Sequence, residues 1–74
     1  MAFYKIDIMG SEGYSFMIET DVELRFENDI IDLALDNNLF LDEEDANYAV
    51  VDDLVTEYDI NHFKKSGCCH KCNA

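Results

Sequence analysis

Alternating apolar and polar side chains dominate the start of the chain. The apolar positions of the first run are Tyr4, Ile6 and Ile8. Because successive side chains of a strand point to opposite faces, this run predicts a strand over residues 2–9. After a polar loop with two glycines, residues 10–13, the apolar positions of a second run are Tyr14, Phe16 and Ile18. We therefore expect an antiparallel β-hairpin over residues 2–19.

The next segment, residues 20–26, fits two patterns. Alternation continues as far as Phe26, which would lengthen the second strand. Thr20 and Glu23 also have the spacing of a capping box, which would start a helix instead. The sequence leaves both interpretations open.

Helical spacing replaces alternation from Asn28 onwards. One arc of a helical wheel collects the apolar residues Ile30, Ile31, Leu33, Ala34 and Leu35. The opposite arc collects Asp29, Asp32 and Asp36. Asn28 is a favourable N-cap, and Asn37 and Asn38 can close a helix in left-handed geometry. The pattern predicts an amphipathic helix over residues 28–37 that covers the apolar face of the hairpin.

The remaining elements are shorter. Asp42 is placed to cap a single helical turn in the acidic stretch 42–45. The apolar run 48–51 predicts a third strand, with an extension to residue 55 left open. Thr56 and Asp59 form a second capping pattern, which predicts a short closing helix.

Together these elements predict the fold class α+β. We expect a small single domain with the order β-β-α-β-α, in which a three-stranded, mainly antiparallel sheet is covered by one main helix. The predicted core consists of Ile6, Ile8, Phe16, Ile18, Ile30, Ala34 and Val50. A chain of 74 residues has room for only one such core.

Charge is distributed unevenly along the chain. The sequence includes 17 Asp and Glu but only 5 Lys and Arg, for a formal net charge of -12. All the acidic residues fall within residues 1–60, whereas residues 61–74 contain three lysines and no acidic residue. We therefore predict an acidic α+β domain, residues 1–65, and a basic Cys/His-rich C-terminal tail, residues 66–74.

Charge and composition argue against several classes of protein. The negative field disfavours direct binding of nucleic acid or of an anionic membrane. No apolar stretch approaches the roughly 20 residues that span a bilayer, and the N-terminus lacks the order of a signal peptide, so we expect a cytoplasmic protein. Nucleophile-elbow, phosphate-loop and zinc-protease motifs do not occur in the sequence, so we expect no enzymatic activity.

The C-terminal tail contains every cysteine of the chain: Cys68, Cys69 and Cys72. Cys69 and Cys72 have the spacing of a metal knuckle, in which two thiolates on a tight turn bind one zinc ion. A four-ligand site would combine them with His62 and either Cys68 or His70, or would be shared across a dimer. The alternative is reduced thiols in an unstructured chain end.

Acidic residues of the amphipathic helix and of the turn after it are the candidate partner-binding residues. They are Asp29, Asp32, Asp36, Asp42, Glu43, Glu44 and Asp45. Carboxylates in such a patch can imitate the phosphates of nucleic acid and occupy a basic groove on a nucleic-acid-binding protein. In size, acidity and β-β-α-β pattern the chain resembles the small accessory proteins of phages and mobile elements, which include DNA-mimicking inhibitors of nucleases.

Two functional hypotheses follow. The first is a small acidic, non-enzymatic binding protein that docks a negative surface on a basic partner, with inhibition of a nucleic-acid-handling protein as its specific form. The second is a small metal-binding structural module that uses the C-terminal Cys-x-x-Cys knuckle. The alternative to the first hypothesis is a solvated acidic surface that only keeps the protein soluble.

Overall fold

A four-stranded mixed sheet organises the chain in a computed structural model, which describes residues 2–10, 13–52 and 54–72. The strands are β1 (Ala2–Ile8), β2 (Tyr14–Thr20), β3 (Ala49–Asp52) and β4 (Cys69–Cys72). Their order across the sheet is β3-β1-β2-β4. β1 runs antiparallel to both β2 and β3, whereas β4 runs parallel to β2. The hairpin therefore forms the centre of the sheet and the two short strands form its edges.

Helices cover both faces of this sheet. They are α1 (Glu27–Asp36), a 3-10 helix (Glu43–Tyr48) and α2 (Glu57–Ser66). The even-numbered side chains of β1 pack with α1, as Ile6 does in the main core. On the opposite face, Lys5 Nζ lies 5.8 Å from the ring centroid of Phe63 in α2. Among the described residues, no helix has both the length and the apolar character needed to cross a membrane.

The main core lies between the sheet and α1. Its buried members are Ile6, Ile8, Phe16, Ile18, Ile30, Leu33, Ala34, Ala49 and Cys72. Six of the seven residues predicted for the core are among them. Full burial of each large aliphatic or aromatic side chain contributes about 1.5–3 kcal/mol relative to exposure, so this cluster is the main source of stability.

Val50 is the exception, because the side chains of the third strand that face the core are not the predicted ones. The pairing of β1 with β3 joins Ile8 to Ala49 and Ile6 to Val51. Ala49 and Val51 therefore lie on the core face, and Val50 is 46% exposed on the other face. A run of consecutive apolar residues has no alternation, so the sequence could not indicate which ones point inwards.

Two boundaries around α1 also differ from the prediction. Residues 21–26 form neither strand nor helix. The Tyr4 hydroxyl holds this segment, because it accepts a hydrogen bond from Leu24 N at 2.6 Å and donates one to Leu24 O at 3.2 Å. α1 begins at Glu27 with Phe26 as its N-cap and no side-chain cap, so Asn28 is not the N-cap. At the other end, Asn38 has the expected left-handed backbone, with φ 56°.

Predicted caps at the two later helices are confirmed. Asp42 Oδ1 accepts a hydrogen bond from Glu44 N at 3.1 Å and caps the 3-10 helix. Thr56 and Asp59 form a reciprocal capping box at the start of α2, with N···O distances of 3.2 and 3.3 Å. The hydrogen bond from the Thr56 backbone lowers the pKa of the Asp59 carboxyl. Both caps are local features, which is why sequence spacing reveals them.

The predicted three-stranded sheet with one main helix is wrong in two details. Cys69–Cys72 adds a fourth strand beside β2, and α2 covers the face opposite α1. Strand β4 has only four residues and no β-branched side chain, so it carries neither a clear alternation nor a strong strand propensity. What holds it in the sheet is pairing with a strand that lies far away in the sequence.

Gly67 joins α2 to β4 and should not tolerate a side chain. It ends α2 with φ 81°, in the left-handed region where a Cβ atom is strained. We expect Gly67→Ala to lower the free energy of unfolding by about 1 kcal/mol in urea denaturation. Gly10→Ala is the matched control, because Gly10 has no left-handed backbone and no described heavy atom lies within 4 Å of the position that its Cβ would take. An equal effect of both substitutions would contradict this role of Gly67.

Candidate functional site

The acidic layer, residues 27–48, comprises α1, the 3-10 helix and the segment between them. It contains eight Asp and Glu residues and no Lys, Arg or His. All seven predicted partner-binding residues lie in this layer, and all except the half-buried Asp45 are exposed. α1 packs next to the 3-10 helix, so the structure brings the two predicted acidic groups onto one side of the sheet.

Three aspartates form a row along α1. Asp29, Asp32 and Asp36 follow helical spacing, so neighbouring Cβ atoms are about 5–6 Å apart. The row extends about 10 Å along the helix axis at 1.5 Å per residue. Ile30, Leu33 and Ala34 on the opposite side of α1 are buried, which fixes the row towards solvent. The amphipathic pattern predicted this orientation correctly.

Lys5, Lys64 and Lys65 lie on the other side of the sheet, whereas Arg25 borders the acidic layer in a pocket that Glu27 and Ile30 also line. Both ion pairs among the described residues use Lys5, whose Nζ lies 4.0 Å from Asp52 and 3.8 Å from Asp59. Lys64 and Lys65 belong to α2, which covers the same face as Lys5. The sheet separates α1 from α2, so their layers are two packing distances of about 10 Å apart, well beyond the Debye length of about 8 Å at physiological salt. The acidic layer is therefore not neutralised by the lysines of α2.

An open groove lies at the end of the hairpin, beside the acidic layer. We call it the hairpin groove, and its lining residues are Ile8, Met9, Gly10, Tyr14, Leu41, Asp42, Asp45 and Tyr48. Its volume is about 530 Å³. The backbone hydrogen bond from Met9 N to Tyr48 O, at 3.0 Å, ties the end of β1 to the end of the 3-10 helix. The groove thus joins three separate segments of the chain.

Tyr14 organises one wall of the hairpin groove. Its hydroxyl donates a hydrogen bond to Asp45 Oδ2 at 2.7 Å and accepts one from Leu41 N at 3.0 Å. Burial raises the pKa of Tyr14, and the hydrogen bond to Asp45 raises it further. Asp45 is therefore part of a fixed polar contact rather than a freely solvated carboxylate. From the sequence, Tyr14 is expected only to be a strand residue, because nothing local indicates a partner 31 positions away.

The cysteines of the predicted metal site lie in a different setting from the expected knuckle. Cys69 and Cys72 belong to an extended strand, where residues three apart point to opposite faces. Cys72 is 3% exposed in the main core, whereas Cys69 pairs with Met17 on the α2 side. Burial raises the pKa of both thiols, which favours the thiol over the metal-binding thiolate at neutral pH.

The other predicted metal ligands are also dispersed. His70 lies with its ring edge-on to Phe16, at a centroid distance of 5.9 Å, and Cys68 packs against the main core. His62 lies on α2 and stacks on Tyr58. In the part of the chain that the structure describes, no three His, Cys, Asp or Glu side chains come close enough together to hold a metal ion. Zinc binding stays a prediction, which elemental analysis of the purified protein would decide.

Comparison with known proteins provides no relative from which a role could be transferred. No protein-family model, curated protein or solved structure matches the chain at a significant level. The acidic layer, the hairpin groove and the cysteines of β4 therefore have to be judged by their own chemistry. Of the three, the acidic layer concentrates the largest number of identical functional groups.

Proposed function

We propose that this protein is a non-enzymatic binding protein that docks its acidic layer on a basic surface of another protein. The observation that carries the proposal is the dense negative charge of the acidic layer, to which Arg25, at its edge, is the nearest cation in the sequence. Eight carboxylates occupy residues 27–48 without a single cation, and the described ion pairs lie on the opposite face of the sheet. A single-sign surface of this kind attracts an oppositely charged partner over distances beyond direct contact.

A protein that handles nucleic acid is the proposed class of partner. Such proteins carry basic grooves that bind phosphates, and carboxylates held in a row can occupy the same groove. The aspartate row on α1 is rigid because the opposite side of the helix is buried in the core. A rigid row loses little conformational freedom on binding, which favours affinity. Inhibition of the partner's access to nucleic acid is the expected consequence.

Charge that serves only solubility would be arranged differently. A surface that merely prevents aggregation needs net charge, and interspersed charges of both signs satisfy that need. Here the lysines of α2 are segregated from the acidic layer by the sheet. Segregation adds nothing to solubility but strengthens the local field, so it supports docking over simple solvation.

The test compares two triple variants of equal charge. One replaces Asp29, Asp32 and Asp36 by Asn within the acidic layer. The control neutralises three exposed carboxylates outside it, as Asp21→Asn, Glu23→Gln and Glu57→Gln. We expect both variants to fold like the wild type, because exposed charges contribute little to stability.

Binding should separate the two variants. The wild-type protein, immobilised, is used to capture its partner from host-cell lysate, and the purified partner is then titrated with each variant. We expect the acidic-layer variant to bind about tenfold more weakly and with a smaller salt dependence, and the control to bind as the wild type does. Competition by duplex DNA would support nucleic-acid mimicry. Equal binding by the acidic-layer variant and the wild type would remove the α1 row from the interface.

A further inference from the structure

The rim of the hairpin groove exposes three large apolar side chains. Leu41 is 85% exposed, Met9 63% and Tyr48 60%. A groove of about 530 Å³ is within the size range of small-molecule and side-chain binding sites. Exposed apolar side chains that cluster around one opening are a feature of interaction sites, and a surface that only contacts water has no use for them.

Carboxylates stand at the same opening. Asp45 is oriented by the Tyr14 hydroxyl through one oxygen, and Asp42 Oδ1 accepts from Glu44 N. Among the hydrogen bonds of the described residues, none reaches the second oxygen of either carboxylate. The charges of Asp45 and Asp42 also contribute to the raised pKa of Tyr14, which indicates a negative potential inside the groove. The groove therefore combines apolar walls with oriented acceptors.

We propose that the hairpin groove binds an arginine side chain of the basic partner. This inference rests on the proposed function and assigns a specific contact to it. The guanidinium group would donate hydrogen bonds to Asp42 and Asp45 and lie against the ring of Tyr48. The aliphatic part of the arginine would cover Met9 and Leu41. No other protein side chain joins an apolar stem to a planar cation with several donors.

Other occupants fit this groove less well. An apolar side chain would remove water from two carboxylates without replacing their hydrogen bonds, which is costly. An anionic group would meet the charges of Asp42 and Asp45. Lysine carries a compact ammonium group that cannot form two parallel hydrogen bonds and stacks less effectively on an aromatic ring. Arginine satisfies both the polar and the apolar part of the lining.

The test uses a short blocked peptide, acetyl-Gly-Arg-Gly-amide, and its lysine and citrulline analogues. Each is titrated into nitrogen-15-labelled protein at about 0.15 M salt, where long-range attraction is screened. We expect saturable shifts of the backbone amides of Met9, Leu41 and Tyr48 with the arginine peptide, and a dissociation constant on the order of 1 mM. The lysine peptide should bind more weakly. The citrulline peptide, which has the same shape without the charge, should not bind.

Two variants and a matched control locate the contact. Asp45→Asn keeps an acceptor for the Tyr14 hydroxyl but removes the charge, so we expect about tenfold weaker binding of the arginine peptide. Tyr48→Ala removes the stacking surface and should weaken binding about fivefold. Tyr58→Ala is the control, because Tyr58 is 75% exposed on α2, away from the groove. The control should bind the peptide as the wild type does.

Failure of this inference differs from failure of the proposed function. Equal binding of the citrulline peptide, absence of shifts, or shifts confined to the amides of α1 would each overturn the arginine site. Loss of partner binding in the Asp29, Asp32 and Asp36 variant would still support the proposed function in those cases. Conversely, peptide binding in the groove together with unchanged partner binding by that variant would retain the arginine site and reject docking through α1.

Discussion

Replacing Cys72 by aspartate is expected to unfold the protein. Cys72 is 3% exposed and belongs to the main core, although it lies close to the C-terminus. An unpaired carboxylate at a buried position costs about 3–5 kcal/mol. The net stability of a domain of this size, after the conformational entropy lost on folding, is only about 3–5 kcal/mol, so the variant should show an unfolded circular dichroism spectrum at about 25 °C.

Lys71→Asp provides the matched control for this substitution. Lys71 is the preceding residue in β4 and is exposed, so the same new side chain should remain in water and leave stability nearly unchanged. The control changes the net charge by more than Cys72→Asp does, so charge alone cannot explain a selective effect at residue 72. Native spectra for both variants would mean that residues 66–74 behave as the separate tail that composition suggested.

Local signals made the centre of the fold predictable. Alternation located β1 and β2, helical spacing located α1, and the Thr56 capping box located the start of α2. Each signal is complete within a few neighbouring residues. Turns, caps and amphipathic faces depend on nearby groups, and tertiary packing then confirms them.

Long-range pairing explains what the sequence did not reveal. Strand β4 joins the sheet beside β2, about fifty residues earlier in the chain, as their pairing from Met17 with Cys69 to Thr20 with Cys72 shows. Its composition and spacing suggested a basic tail in which Cys69 and Cys72 form a metal knuckle or remain free thiols. Because this segment is an extended strand, Cys72 points into the core and Cys69 points to the opposite face. Spacing alone cannot distinguish a knuckle from a strand.

The candidate surfaces divide in the same way. The aspartate row on α1 follows from a helical wheel, because its orientation depends only on which arc is apolar. The hairpin groove cannot be predicted from a local pattern, because Tyr14 and Asp45 meet only after the sheet and the 3-10 helix have packed together. Its apolar rim appears in the sequence as ordinary hydrophobic residues. Their exposure becomes visible only in three dimensions, and it is this exposure that makes the groove a candidate binding site.

The face of the sheet under α2 contains a second buried region, which the sequence pattern does not predict. Met17 lies between Phe16 and Ile18, so its side chain points away from the main core, and it was not among the predicted core residues. In the structure its exposure is 0%, it pairs with Lys5 of β1 and Cys69 of β4, and α2 packs on this face. One Lys and one Met on neighbouring strands give no apolar pattern, so only the docking of α2 explains why Met17 is buried.

Met17→Ala is therefore expected to destabilise the protein severely. Removal of a buried methionine side chain leaves a cavity and costs about 2–5 kcal/mol, which is comparable with the roughly 3–5 kcal/mol available to a domain of this size. Urea denaturation followed by circular dichroism should show a midpoint near zero denaturant or no native baseline. Met9→Ala is the matched control, because Met9 is 63% exposed and its loss should leave the midpoint almost unchanged. If Met17→Ala unfolds at the same urea concentration as Met9→Ala, then α2 does not form a second core against the sheet.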